Sequence, residues 1–190
     1  MQYAYKLMAS PAGLLKLVAK GDHLAAILWE DDDALRVRLG EMVEDEDRPV
    51  LIETEHQLRE YFAGERDGFD IPLHFEGTEF QRQVWSALLD IPYGQTRTYL
   101  DIARQLGNEK AVRAVGAANG RNPISIIAPC HRVIGTGGEL TGFAGGLHVK
   151  KLLLAIEGIA TEGRDIGQVI DPRRKAQSRR REDPNQLSLL

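Results

Sequence analysis

The sequence predicts an α+β protein built in two parts: a small N-terminal α+β domain with an antiparallel sheet over residues 1–75, and a mainly helical domain carrying a helix-turn-helix over residues 76–160. Two observations carry this prediction. Short apolar runs separated by turn residues fill the first 30 positions, and helix-capping signals followed by apolar stripes at helical spacing take over from Thr78. A third stretch, residues 161–190, has little to bury and reads as a flexible basic tail.

Taking the elements in order, Tyr3 to Ala9, Leu14 to Ala19 and Leu24 to Trp29 are the strands, with Ser10-Pro11-Ala12-Gly13 and Gly21-Asp22 as the turns between them. Beyond an acidic stretch, Leu51, Leu58, Tyr61 and Phe62 mark a helix that ends before Gly64. Thr78 with Gln81 forms a capping box, and Phe80, Val84, Ala87 and Leu88 then share one face as far as Ile91-Pro92-Tyr93-Gly94. Thr98 with Asp101 starts a second helix that stops at Gly107, and Asn108 caps a third from Glu109 through about Ala118. Two short helices joined by a Gly-Asn turn have the proportions of a helix-turn-helix, although packed helix pairs of other kinds look alike. Leu147 to Ile156 is the last helix, stopped by Gly158.

Composition narrows the function classes. A hydrophobic share of 43% with 27% charged residues is that of a globular chain. The early apolar run Leu24 to Trp29 is far shorter than the roughly 18 residues a membrane helix needs, so neither a membrane partner nor a signal peptide is expected. A single cysteine excludes an intrachain disulfide and favours a reducing, cytoplasmic setting. The net charge of -4 argues against nucleic acid only as an average. Residues 1–75 hold 8 basic and 16 acidic side chains, whereas Thr96 to Val133 carries Arg97, Arg104, Lys110, Arg113, Arg121 and Arg132 against Asp101 and Glu109 alone. An anion would dock there, if the charges are more than a solvated surface.

The chemistry converges on Cys130, in Ile126-Ile127-Ala128-Pro129-Cys130-His131-Arg132-Val133. A lone cysteine is ordinarily a small core residue, and an unassisted thiol is only about 3% thiolate at neutral pH. The adjacent His131 could raise that fraction, but on extended backbone the two side chains would face opposite ways, so proton transfer needs a turn or a bridging water. Pro129-Cys130 lacks the second cysteine of a nucleobase-deaminase zinc motif, and Gly135-Thr136-Gly137-Gly138 fits neither a Walker A loop nor a dinucleotide fingerprint. No cofactor and no metal are indicated.

Asn122-Pro123 through Pro129-Cys130-His131-Arg132-Val133, Gly142-Phe143-Ala144-Gly145-Gly146-Leu147 and Lys150 to Glu157-Gly158 resemble the signature of the methylated-DNA protein-cysteine methyltransferases, also called O6-alkylguanine-DNA alkyltransferases. The similarity reaches back through Phe80 to Gln83, Pro92-Tyr93-Gly94, Thr98-Tyr99 and Lys110 to Gly116. It implies a ribonuclease H-like first domain, a winged-helix-like second one, and a monomer that repairs duplex DNA by moving the O6-alkyl group of guanine, with O4-alkylthymine as a further candidate, onto its own Cys130. By resemblance His131 is the base acting through a water, Glu157 orients the imidazole, and Asn122 ties the reactive loop together. The substrate pocket takes in Tyr99, Val133, Phe143, Ala144 and Lys150, and the DNA contacts are Arg113, Tyr99, Thr98, Asn108 and Thr136. Arg113 fills the space of a base flipped out through the minor groove. Ala114, Gly116, Ala117 and Ala118 either let this helix approach DNA closely or pack it tightly.

Two departures qualify the resemblance. Phe143 stands where family members often carry tyrosine, removing a hydroxyl that could assist the leaving oxygen, and the first domain lacks the cysteines with which some relatives hold zinc. Retention of Cys130, His131 and Glu157 argues against a non-catalytic module that only recognises alkylated DNA; the Cys-His pair alone would also fit a cysteine hydrolase. Finally, Gln186-Leu187-Ser188-Leu189-Leu190 resembles the short peptide with which bacterial repair proteins bind the sliding clamp, or is simply a frayed terminus.

Overall fold

The computed structural model describes residues 2–30, 32–33 and 35–161. The basic tail and Gln186, Leu187, Ser188, Leu189 and Leu190 lie outside the described residues.

The three strands are β1 (Tyr3–Ser10), β2 (Gly13–Lys20) and β3 (His23–Trp29), joined by tight turns in which Gly13 and Gly21 take positive φ of 98° and 62°. They pair antiparallel in order, as the turn spacing predicts. A fourth strand, β4 (Met42–Glu44), runs parallel to β1 with Tyr3 opposite Met42. It escaped the sequence reading because three residues beside an acidic run carry no alternation to detect. The sheet order is therefore β3-β2-β1-β4. Helix α1 (Pro49–Phe62) begins earlier than its apolar stripe suggests, since Pro49 in the first turn has φ preset for a helix. It buries Leu51, Leu58 and Tyr61 in the cluster that also holds Leu15, Leu17 and Leu24 of the sheet.

In the second part the helices are α2 (Glu79–Leu89), α3 (Tyr99–Gln105), α4 (Val112–Gly120) and α5 (Leu147–Ile156). Both predicted capping boxes form. Thr78 accepts from the Gln81 N–H at 3.2 Å while Gln81 accepts from the Thr78 N–H at 3.0 Å, and Thr98 with Asp101 does the same at 3.1 and 2.8 Å. Asn108 caps a 3-10 turn, Glu109–Ala111, by accepting from the Lys110 N–H at 3.2 Å; α4 proper starts after that turn and extends to Gly120. Beyond the reactive turn, β6 (Val133–Ile134) pairs in parallel with β5 (Arg97–Thr98), and a turn closed by the Gly135 N–H on the Glu139 carbonyl follows. The β5–β6 ladder fixes the start of α3 next to Cys130.

The main apolar cluster ignores the break between the parts: Ile124, Ile126, Ile127, Val149 and Leu153 join Leu15, Leu17, Ile27, Leu51 and Leu58 in it. Full burial of each such side chain stabilises by roughly 1.5–3 kcal/mol, so this shared layer is a large part of what fixes the site. The outer edge of β3 is also occupied. Leu24 N–H donates to the Pro72 carbonyl and His74 N–H to the Leu24 carbonyl, both at 2.8 Å, and Ile27 N–H donates to the Pro123 carbonyl at 2.9 Å. Among the described residues no helix is long and apolar enough to cross a membrane.

Candidate active site

Asn122 is buried at the mouth of the loop that leads to Cys130. Its side-chain amide donates to the Ala128 carbonyl at 2.7 Å and its oxygen accepts from the Ile124 N–H at 3.1 Å, so one residue ties both ends of the loop. Within it Ile126 sits at φ 76°, left-handed backbone that a β-branched residue rarely adopts and that costs about 1–3 kcal/mol. The Asn122 bonds and the burial of Ile124 and Ile126 hold it there. The loop then tightens into a 3-10 turn, Cys130–Arg132. The turn takes Cys130 and His131 off extended backbone, and among the described residues no hydrogen bond joins the two side chains directly. Cys130 is 3% exposed, with Sγ 3.8 Å from Ser125 Oγ.

His131 is fully buried and its Nε2 lies 2.6 Å from Glu157 Oε1, while Nδ1 has no protein partner. Glu157 receives four further donations: Tyr61 O–H to Oε1 at 2.7 Å, Arg132 Nη2 to Oε1 at 3.0 Å, Arg132 Nε to Oε2 at 2.8 Å, and the Gly94 N–H to Oε2 at 3.3 Å. Burial by itself would raise this carboxyl, but the His131 and Arg132 hydrogen bonds outweigh it and hold the group down to about 2. Burial also pushes the His131 imidazole below its ordinary range, against the pull of Glu157. With Glu157 ionised, Nε2 is the nitrogen that donates to it, and burial disfavours a second proton on the ring, where Nδ1 has no protein partner.

Lys150 is buried on α5, donating to the Val133 carbonyl at 2.6 Å and the Thr141 carbonyl at 3.2 Å. Burial lowers its ammonium to about 8, and a thiolate at Cys130 would oppose that shift. Val133 itself is fully buried, with its carbonyl on Lys150 and its N–H on the Cys130 carbonyl. A cleft of about 560 Å³ opens between α4 and the 141–144 segment, lined by Tyr99, Gly116, Asn119, Thr141, Phe143 and Ala144 among others. Tyr99 and Phe143 also pack on the buried cluster that contains Cys130. The Tyr99 hydroxyl bonds to the Thr141 hydroxyl. Two further clefts, of about 390 and 360 Å³, are lined by none of these residues.

Around the cleft, Arg113, Ala114 and Ala117 are exposed on α4, whereas Ala118 is buried and its carbonyl accepts from Trp85 Nε1 at 2.9 Å. The small residues thus divide: two leave an open face, and Ala118 packs the helix from behind. Thr98 and Asn108 spend their side chains on caps, and Thr136 is exposed in the turn after β6. Arg132 departs from the basic stretch in which its charge was counted, since it is buried on Glu157 and the Ile91 carbonyl and offers nothing to an outside anion.

The sequence reading missed four residues. Tyr61 read only as part of the α1 stripe; a buried tyrosine needs a partner for its hydroxyl, and that was the available signal. Arg132 was adjacent to His131 and uncounted as a ligand of Glu157. Asn119 is buried in the cleft wall with Oδ1 unpartnered. Trp29, on β3, packs edge-on against Phe143 at 5.4 Å and so closely over Gly145 that any Cβ there would lie 2.7 Å from the indole. Among the described residues no group of three or more His, Cys, Asp or Glu side chains could hold a metal ion.

Fold and site together define a class: an α+β protein that sets a cysteine–histidine–glutamate constellation in a helical domain beside a cleft along α4. Residues 79–159 match the family model for the DNA-binding domain of 6-O-methylguanine DNA methyltransferase, and residues 3–75 match the model for its ribonuclease-like domain. The chain belongs to the 6-O-methylguanine DNA methyltransferase family. It is 59% identical over 113 residues to the methylated-DNA–protein-cysteine methyltransferase of Methanosarcina acetivorans, covering 60% of this chain and 72% of that one. With the protein of the same name from Mycolicibacterium paratuberculosis it shares 48% over 153 residues, 80% and 91% of the two chains. The crystal structure of Mycobacterium tuberculosis OGT in complex with DNA is similar at a TM-score of 0.75 and 44% identity, covering 83% of this chain and 92% of that one.

Proposed function

We propose that this protein repairs duplex DNA by transferring the alkyl group of O6-alkylguanine to its own Cys130, acting once, as a monomer in a reducing, cytoplasmic setting. One observation carries the reading: the free thiol is followed in a tight turn by an imidazole whose Nε2 is committed to Glu157 and whose Nδ1 has no partner. The thiol proton passes to Nδ1 through a water. The thiolate then attacks the alkyl carbon, an S–C bond forms as the C–O6 bond breaks, and guanine leaves with the bonding electrons and is neutralised by a proton. Lys150 adds positive charge near the thiolate, and Tyr99 and the Ala144 amide, both at the cleft, serve the departing oxygen. Phe143 contributes shape alone.

A stacked base cannot be reached in place, so it must be rotated out into the cleft. Arg113, exposed on α4, fills the vacated stack, and Tyr99, Thr98, Asn108 and Thr136 contact the flanking DNA. The test is to incubate the protein with duplex DNA containing O6-methylguanine and weigh the intact chain. A gain of one methyl group supports transfer, and binding without a mass change would instead support a recognition module. Arg113→Ala is expected to slow repair of duplex DNA about tenfold or more while leaving reaction with free O6-benzylguanine nearly unchanged, because only the duplex requires flipping. Equal losses on the two substrates would refute that assignment.

The same reading gives Gln186, Leu187, Ser188, Leu189 and Leu190 the role of a sliding-clamp ligand on a basic tether, raising the local concentration of repair protein at DNA. Clamp affinity that is unchanged by removing residues 186–190 would sink this part.

A further inference from the structure

From the N-terminal domain one hydroxyl reaches Glu157 directly. Tyr61 lies on α1, fully buried, its ring edge-on to Phe62 and Tyr93 and tilted against Phe69. Packing accounts for the ring. It does not account for the hydroxyl, which donates at 2.7 Å to Glu157 Oε1, the same oxygen that lies 2.6 Å from His131 Nε2. Resting on the transfer reaction proposed above, we infer that Tyr61 is a positioning residue that sets how strongly His131 can hold a proton.

When His131 takes the thiol proton it becomes an imidazolium, stabilised by the negative charge on Glu157. Every other donor on Oε1 draws on that charge, and the positive end of the Tyr61 O–H dipole faces the ring across the shared oxygen. The groups bearing on His131 are Glu157, which favours its protonation, and Arg132 and Lys150, which oppose it. Tyr61 joins the opposing side without adding a charge, and burial and the Glu157 charge in turn raise its own phenol, so it stays a donor at all working pH values. Tyr93 spends its hydroxyl elsewhere, on the Ile156 carbonyl at 2.9 Å.

Tyr61→Phe keeps the ring and removes the donor. The experiment measures alkyl transfer from free O6-benzylguanine against pH, for wild type and variant, with the labelled fraction counted by intact mass so that only folded, reactive protein enters the rate. With the donor gone, His131 holds its proton more tightly, and the acid limb of the profile moves to higher pH by about half a unit or more. The plateau falls, by about tenfold at most, as the carboxylate loses one of its anchors. A merely structural role would lower the rate at every pH and leave the limb in place, and that outcome overturns the inference. Should Tyr61→Phe not fold, 3-fluorotyrosine at position 61 keeps ring and hydroxyl, donates more strongly, and is expected to move the limb to lower pH; an unmoved limb again overturns it. Wild-type protein that gains no alkyl group at all would instead defeat the transfer reading itself.

Discussion

Cys130→Ser will gain no mass on incubation with O6-methylguanine duplex, at any length of exposure, while binding that duplex as wild type does. A serine hydroxyl ionises far above neutral pH, and the His131–Glu157 pair is matched to a thiol. The residue is buried in a cluster with Val84, Ala103 and Val133, so serine leaves the volume of the site almost unchanged. Loss of transfer with retained binding therefore isolates the nucleophile from the DNA-reading face. A variant that still took up a methyl group would place the acceptor elsewhere in the chain.

Glu157→Gln carries the second large effect, and it acts on stability and chemistry together. The substitution leaves the Arg132 guanidinium buried without its counter-charge and turns one of the two accepting oxygens into an NH2 donor facing other donors, so the amide cannot serve both His131 with Tyr61 and Arg132 with Gly94. Breaking a buried pair from one side costs about 3–5 kcal/mol, enough to lower the melting temperature by roughly 10 °C. The chemical loss differs in kind. An uncharged amide no longer stabilises the imidazolium formed when His131 takes the thiol proton, so the base weakens and the thiol falls back toward its own ionisation, about 3% at neutral pH; transfer slows by up to about 30-fold near pH 7, and the deficit narrows as pH rises through about 8.5. A deficit independent of pH would show that Glu157 serves the fold alone. Wild-type stability has a matching acid dependence. The carboxyl is held to about 2 against an ordinary 4.5, so its contribution is complete above about 4.5 and is lost as pH falls toward 2.

Much of this was legible beforehand, for identifiable reasons. The three antiparallel strands announced themselves through alternation and glycine turns, and α2 and α3 through capping boxes whose two halves both form. Cys130, His131, Asn122 and Glu157 could be named because they sit in the runs that carry the family resemblance. What stayed hidden depends on distant partners. A two-residue ladder such as Arg97–Thr98 with Val133–Ile134 has no period to read. Tyr61 and Glu157 are 96 positions apart, and nothing in either neighbourhood announces the other. Arg132 misled for a related reason: a charge count cannot tell a guanidinium facing solvent from one folded onto a carboxylate. The basic character of the reading face accordingly rests on Arg97, Arg104, Lys110, Arg113 and Arg121, of which Arg104 is already paired with Glu109.

The backbone bonds that occupy the outer edge of β3 have a consequence outside repair. An uncovered strand edge offers unpaired N–H and C=O groups to any other extended chain, and proteins guard such edges against cross-molecular pairing. Here the guards are Pro72 to His74 on one stretch and Pro123 with Ile124 on the other, and prolines, which have no N–H to offer, are poor recruiters of a further strand. The second guard is the opening of the loop that presents Cys130. Its rigidity thus answers to solubility as well as to reactivity, and substitutions at Asn122 that slacken it are exposed to selection on both counts.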